Sequence, residues 1–207
     1  MKHLRHCILN ALFNLLYGRI VFFHEIAGQI LFGESWHGRR LALLDAIGAA
    51  SRIVDVGAGD GRLIEAAGKR AIAIQAFDPS RSMRARAFRR GVAVVNGSSF
   101  DVPLPSGSVD IILATYPGPW VTEPATWTEF ERVLTADGIV YLCLGGSYER
   151  GPGAQLRSTM IKLAYGRIAI VPINLPAAED RGFTVEHVSQ DDRWGHASYV
   201  TVRRARR

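Results

Sequence analysis

The stretch Arg52-Ile53-Val54-Asp55-Val56-Gly57-Ala58-Gly59-Asp60-Gly61-Arg62 constrains this chain more than any other. Three β-favouring residues, Ile53, Val54 and Val56, run into three alternate glycines, and an amphipathic segment follows. That order reads as a buried strand, a tight turn and a helix. Glycine tolerates the positive φ such a turn needs and lets a ligand approach the backbone. The turn also presents free N–H groups at a helix N-terminus, where anionic or polar groups are held. Asp55 occupies a strand position where packing alone favours Val or Ile, and a carboxylate there suits a cationic amine. The run is therefore a candidate small-molecule turn.

A second acidic position follows at the end of Ala71-Ile72-Ala73-Ile74-Gln75-Ala76-Phe77, an apolar run that reads as a strand buried on both faces and stops at Asp78-Pro79-Ser80. A carboxylate at the end of the second strand can accept hydrogen bonds from a ribose diol. Nicotinamide enzymes share that feature but use G-x-G-x-x-G at the first turn. The spacing here is G-x-G-x-G with an acidic residue two positions earlier, which suits a ligand bearing an amino acid rather than a pyrophosphate.

On these residues the chain resembles the class I S-adenosylmethionine-dependent methyltransferases. Gly97-Ser98-Ser99-Phe100-Asp101-Val102-Pro103-Leu104-Pro105-Ser106-Gly107-Ser108-Val109-Asp110 is similar to the family's G-D-A-x-x-L-P-F-P-D-G-S-F-D segment. Glu129-Phe130-Glu131-Arg132-Val133-Leu134-Thr135-Ala136-Asp137-Gly138 is similar to E-x-x-R-V-L-x-P-G-G. Ser98 departs from the family's usual Asp, and Ala136-Asp137 from its Pro-Gly. The resemblance covers roughly residues 50 to 145. It implies an α/β, Rossmann-like fold with a mostly parallel seven-stranded sheet, an antiparallel last strand and an N-terminal helical lid. It implies S-adenosyl-L-methionine as cofactor, held by Asp55, Gly57, Ala58, Gly59, Gly61, Asp78, Pro79, Ser98, Ser99, Phe100 and Thr115.

Phe23-His24 through Trp36-His37-Gly38-Arg39-Arg40 resembles the preamble of methyltransferases acting on quinones and similar lipophilic rings. Here Phe23 and His24 replace its tyrosine and aspartate, while Trp36 and an arginine at 39 or 40 remain. After the fourth strand, Tyr116-Pro117-Gly118-Pro119-Trp120 sets two aromatic rings in a stiff loop that by family geometry faces the transferred methyl. Tyr17, Trp36, Tyr116 and Trp120 are the expected walls of an acceptor pocket. Tyr116, His24, His37 and His196 are candidate bases, with Tyr116, His24 and His37 foremost; none is singled out. No metal-ligand spacing occurs, so no metal is expected.

Composition bounds the remaining choices. With 207 residues, 48% of them hydrophobic, the chain can bury a core of its own. Cys7 and Cys143 lie far apart, and Cys143 sits inside an apolar strand, so a reduced, cytoplasmic protein is expected. The net charge of +6 is concentrated in Lys2 and Arg5, in Arg81, Arg84, Arg86, Arg89 and Arg90, and in Arg203, Arg204, Arg206 and Arg207. Such patches are solvated faces, or else attract an anionic membrane or nucleic acid.

Residues 7 to 32 are apolar but interrupted by Arg19, His24 and Glu25. Residues 1–40 are accordingly expected to form a helical lid or a membrane-surface segment, with a signal peptide a further alternative for Met1–Tyr17. Residues 41–207 are the cofactor-binding domain. The expected strands are Ala71–Phe77, Val92–Asn96, Val109–Thr115 and Ile139–Leu144, then a hairpin of Phe183–Ser189 and Ala197–Arg203. Helices are expected over Ala125–Leu134 and Gln155–Tyr165.

The expected activity is methyl transfer to a small lipophilic or aromatic acceptor, with peripheral membrane association as a further expectation. The alternatives are an RNA or protein methyltransferase using the basic patch, and a non-catalytic cofactor-binding interaction module. Nucleic acid is the less favoured partner, since no dedicated RNA-binding module is evident.

Overall fold

The computed structural model describes residues 34–45, 47, 51–151, 153–156, 158–159 and 173–205. The chain divides into two compact units, Met1–His37 and Gly38–Arg207. Of the first, residues 34–37 are described and are helical. Tyr17, Phe23, His24, Cys7 and most of the expected lid lie outside the described residues.

The second unit opens with helical residues 38–45 (α1). It continues through β1 (Ile53–Val56), α2 (Arg62–Lys69), β2 (Ile74–Phe77), α3 (Arg81–Arg89) and β3 (Val109–Thr115). A 3-10 turn (Pro119–Thr122), α4 (Pro124–Val133), β4 (Leu134–Gly146), α5 (Pro176–Glu179), β5 (Phe183–Asp192) and β6 (Gly195–Arg204) complete it. Helical residues also occur at 154–156 and 158–159, overlapping the start of the helix expected over Gln155–Tyr165.

The six strands form one sheet in the order β2-β1-β3-β4-β6-β5. Strands β1 to β4 are parallel, and β6 is antiparallel to both β4 and β5. Strand alternation sorts the core onto two faces. Val54, Val56, Ile112, Ala114, Val140, Leu142, Val200 and Val202 pack with Trp127, Phe130 and Val133 of α4. Ile53, Ile111 and Leu113 pack with Leu44 of α1 and Leu63 and Ala67 of α2. Covering both faces with helices is what a parallel sheet requires.

Seven strands are expected from the sequence and six are found among the described residues. The difference lies at Val92–Asn96, where pairing is reduced to a single parallel bridge between Phe77 and Val95. The Val95 N–H donates to Ala76 O at 2.8 Å and the Asp78 N–H to Val95 O at 3.1 Å. Just past this rung the chain crosses Pro103 at Gly97, where a Cβ would lie 2.8 Å from Pro103 Cδ.

Strand β2 also starts three residues later than the apolar run suggests. Ala71, at φ 58°, belongs to the turn that closes α2, with the Ile72 N–H reaching back to Ala67 O at 3.0 Å. Strand β4 starts earlier than Ile139 because Leu134 already pairs with Val109 before a register shift.

Because β2 and β3 flank β1 on opposite sides, the chain reverses its winding between β1 and β3. Ligands of such sheets bind outside the carboxyl ends of the strands at this switch point. The glycine turn after β1 and the aromatic loop after β3 both emerge there.

Candidate functional site

The three glycines of the turn have positive φ angles of 76°, 58° and 75° at Gly57, Gly59 and Gly61. Their surroundings give them different tasks. A Cβ on Gly61 would lie 2.5 Å from Val92 Cγ2 and 3.1 Å from Ala87 Cβ, so this glycine lets the turn pack against α3 and the residues after it. A Cβ on Gly57 would meet Trp120 Cζ2 at 3.4 Å, placing the indole against the start of the turn. A Cβ on Gly59 meets nothing within 4 Å. Gly59 is the glycine left open to a ligand.

Asp78 fastens this turn to the end of β2. It accepts from the Gly59 N–H and the Ser80 N–H, both at 2.8 Å, while the Gly57 and Ala58 N–H groups donate to Phe77 O. Burial raises the Asp78 carboxyl above its ordinary range, against the opposing pull of those two N–H groups and Arg84. Pro79 is exposed, and Ser80 caps α3 by accepting from the Met83 N–H at 3.4 Å.

Asp55 is fully buried, and neither carboxylate oxygen has a hydrogen-bond partner. Burial pushes its pKa up to about 7; Arg40 pulls it down and Asp78 pushes it further up. A buried carboxylate without donors is costly unless something pairs it. A ligand ammonium group would do so. Asp55 is the carboxylate that the described residues leave without a partner, two residues before the glycine turn begins. Asp60, by contrast, is already neutralised: burial raises its pKa, but Arg62 at 2.8 Å and Arg90 at 3.0 Å outweigh it and hold the group low.

The second wall comes from the loop after β3. Tyr116 adopts φ 52°, an unusual state for a non-glycine residue, and its N–H donates to Cys143 O at 2.7 Å. Strained backbone of this kind concentrates at functional sites. The Tyr116 side chain hydrogen-bonds the Cys143 thiol, and burial raises its pKa well above 10. Tyr116 therefore keeps its proton at neutral pH. The Arg40 guanidinium lies 5.7 Å from the centre of its ring, within cation–π range, and the Arg40 Nε is buried without a hydrogen-bond partner. Trp120 is half-buried and meets Phe130 edge-on.

The loop expected on the adenine side is clamped from below. Glu129 accepts the Val102 N–H at 2.8 Å, and Arg132 bonds Glu129, Val102 O at 3.0 Å and Leu104 O at 2.9 Å. The two segments that carried the family resemblance thus hold each other. Ser98 Oγ accepts the Phe100 N–H at 3.2 Å, and Phe100 is half exposed. Ser99 is buried and turned toward α4, its Oγ 3.2 Å from Thr126 Oγ1, which also donates to Trp120 O at 2.7 Å.

The expected residues divide accordingly. Asp55, Gly57, Ala58, Gly59 and Asp78 converge at the switch point, with Thr115, Tyr116 and Trp120 on the loop side. Gly61 and Ser99 serve packing contacts. Trp36 and His37 are half-buried helical residues of the first unit. His196 stands on β6 between two carboxylates, paired through Nδ1 with Asp191 and 3.5 Å from Glu149. The sequence places Cys143 inside a strand and gives Tyr148 no role in the site. The paired Gly145-Gly146 was the available signal: a Cβ on Gly146 would lie 1.9 Å from His196 O, so a close backbone crossing is built there.

Comparison with known proteins agrees with this geometry. The methyltransferase-domain family model matches residues 54–142. An uncharacterised methyltransferase of Mycobacterium tuberculosis strain H37Rv is 33% identical over 92 residues, 44% of this chain. The chain spans only 38% of that relative's length. Among solved structures, an S-adenosylmethionine-dependent methyltransferase of Thermotoga maritima, described as a possible histamine N-methyltransferase, superposes with TM-score 0.64 at 16% identity, over 93% of this chain and 98% of its own. Phosphoethanolamine N-methyltransferase 2 of Haemonchus contortus, bound to S-adenosyl-L-methionine, superposes with TM-score 0.58 at 14% identity, over 82% of this chain and 53% of its own. At these identities the superpositions establish the fold. The segment 54–142 thus matches a methyltransferase domain, on a fold shared with S-adenosylmethionine-dependent methyltransferases.

Proposed function

We propose that this chain transfers a methyl group from S-adenosylmethionine to a small lipophilic or aromatic acceptor. The observation that carries the acceptor class is the packing of Trp120 against Gly57, which sets an aromatic wall beside the cofactor turn. Tyr116 continues that wall, and its left-handed backbone fixes the ring direction. The quinone-directed branch is one form of this reading, supported by the resemblance around Trp36 and Arg39-Arg40.

In this mechanism Asp55 holds the amino group of the cofactor, Asp78 accepts from its ribose diol, and Gly59 gives the backbone clearance between them. When bound, the cofactor supplies an activated methyl group for in-line displacement. The chain then has to align the acceptor and exclude water, and alignment supplies much of the rate. Trp120 and Tyr116 serve both ends. The Tyr116 hydroxyl keeps its proton and bonds the Cys143 thiol, so in this reading the ring rather than the hydroxyl meets the acceptor.

The test is transfer of a labelled methyl group to a panel of phenols, quinols and aliphatic amines, run with Trp120→Ala. Turnover on the ring-bearing acceptors, with KM raised about tenfold in the variant, supports the reading. Turnover confined to RNA or protein substrates overturns it.

A further inference from the structure

We propose that α3 is a docking face for an anionic lipid surface, with Phe88 as its apolar tip. Between Asp78 and Asp101 the chain carries five arginines and no acidic residue. At 100° per residue, Arg81, Arg84, Ala85, Phe88 and Arg89 share a sector of about 140° on α3. Ala87 faces the opposite way and is the helix's buried residue. Phe88 is 82% exposed, the most exposed large apolar side chain among the described residues.

Not all of these cations are equally available. Arg90 pairs with Asp60 and Glu65, and Arg84 donates to Asp78 O at 2.8 Å. Arg81 and Arg89 are exposed and make no ion pair among the described residues. They flank Phe88 along the helix, about 12 Å apart at 1.5 Å per residue. A phenyl ring held in water between two free guanidinium groups matches a surface that offers phosphates with an apolar layer beneath. The phosphates take the arginines and the ring enters the headgroup boundary, the arrangement of an interfacial helix.

A bilayer is favoured over a polynucleotide by shape. Single strands are tracked by a basic groove with stacking platforms, whereas the outer face of a helix is convex, and Phe88 stacks on no other ring among the described residues. The sequence before residue 33 adds an apolar run with Lys2 and Arg5 ahead of it, and stable attachment takes two signals rather than one. The face is independent of the proposed acceptor, so failure of either reading leaves the other standing.

The test is sedimentation of the full chain with vesicles of phosphatidylcholine alone or mixed with an equal amount of phosphatidylglycerol. Binding is expected only to the mixed vesicles, and is expected to fall as salt rises. Each arginine near such a surface is worth roughly fivefold, so Arg81→Gln with Arg89→Gln should weaken binding about thirtyfold. Phe88→Ser should weaken it about tenfold through lost insertion. All three positions are exposed, and unchanged thermal unfolding is the folding control. Variants that bind like the parent protein overturn the proposal, as does equal binding to both vesicle types. Absence of vesicle binding alongside polynucleotide binding that the same substitutions weaken would assign the face to nucleic acid instead.

Discussion

Asp55 is the residue on which most of the site's energetics turn. Its carboxyl titrates at about 7 in the folded chain against an ordinary 3.8, because burial opposes the charge. A raised carboxyl means the folded state holds the extra proton between those values. Its contribution therefore favours folding at low pH and is lost as pH rises toward 7, by an amount of order 4 kcal/mol at most. Asp55→Asn removes the titration with almost no change in shape. Without ligand, the variant should melt several degrees above the parent protein at pH ~8 and level with it near pH ~4, as calorimetry would record. Cofactor binding has the opposite sign. An ammonium group selects the ionised carboxylate, so affinity should fall about tenfold per unit as pH drops below 7 and be flat above it. A flat profile across that range would remove Asp55 from the amino-group contact. The sequence singles out Asp55 and the glycines, since each breaks the local pattern of its element. It does not separate Gly59 from Gly61. That distinction depends on Val92 and Ala87, which reach the turn only through tertiary packing.

At the scale of elements, α2 and α3 end in the same way with different residues. In α3 the Val92 N–H returns to Ala87 O and the Gly91 N–H to Phe88 O, with Gly91 at φ 78°. In α2 the Ile72 N–H returns to Ala67 O and the Ala71 N–H to Gly68 O, with Ala71 at φ 58°. Both are Schellman closures, in which glycine is the favoured left-handed residue. Ala71→Gly should therefore stabilise the protein by about 0.5–1 kcal/mol, and Gly91→Ala should destabilise it by about 1 kcal/mol. A Cβ on Gly91 meets no atom within 4 Å, so denaturant titration of that variant reads backbone strain alone.

The Glu129–Arg132 clamp is a second element-scale device. Arg132→Ala should loosen the Val102–Leu104 segment and cost about 1–2 kcal/mol, seen as faster amide exchange there. Helices and central strands were legible because period and burial coincide, as in Val109–Thr115. The segment Val92–Asn96 was not, because its composition suits a strand while its pairing with β2 is limited to the Phe77–Val95 bridge.

The whole molecule follows from alternate burial on two sheet faces and a winding reversal at β1. Alternate burial is readable from the apolar runs, whereas the reversal is visible only in the strand order β2-β1-β3. What the sequence also could not supply was the junction at the far edge of the site. There Arg39 is buried, bonds Asp192 through Nε at 2.6 Å and Ser147 O at 2.8 Å, and lies 4.6 Å from the centre of the Tyr148 ring. Asp192 also accepts the Trp194 and Gly195 N–H groups, so one ion pair ties α1 to the turn between β5 and β6. These partners are 153 residues apart, and no local pattern announces them. Arg39→Ala should cost about 3 kcal/mol in thermal unfolding, since it leaves a half-buried carboxylate without its cation.

The most direct test of the account is calorimetric titration of S-adenosylhomocysteine into the parent protein and Asp55→Asn at pH ~8. The parent protein is expected to bind, and the variant to remain folded while losing affinity about a hundredfold. Equal affinity in the two proteins, or no binding to the parent protein, would contradict it.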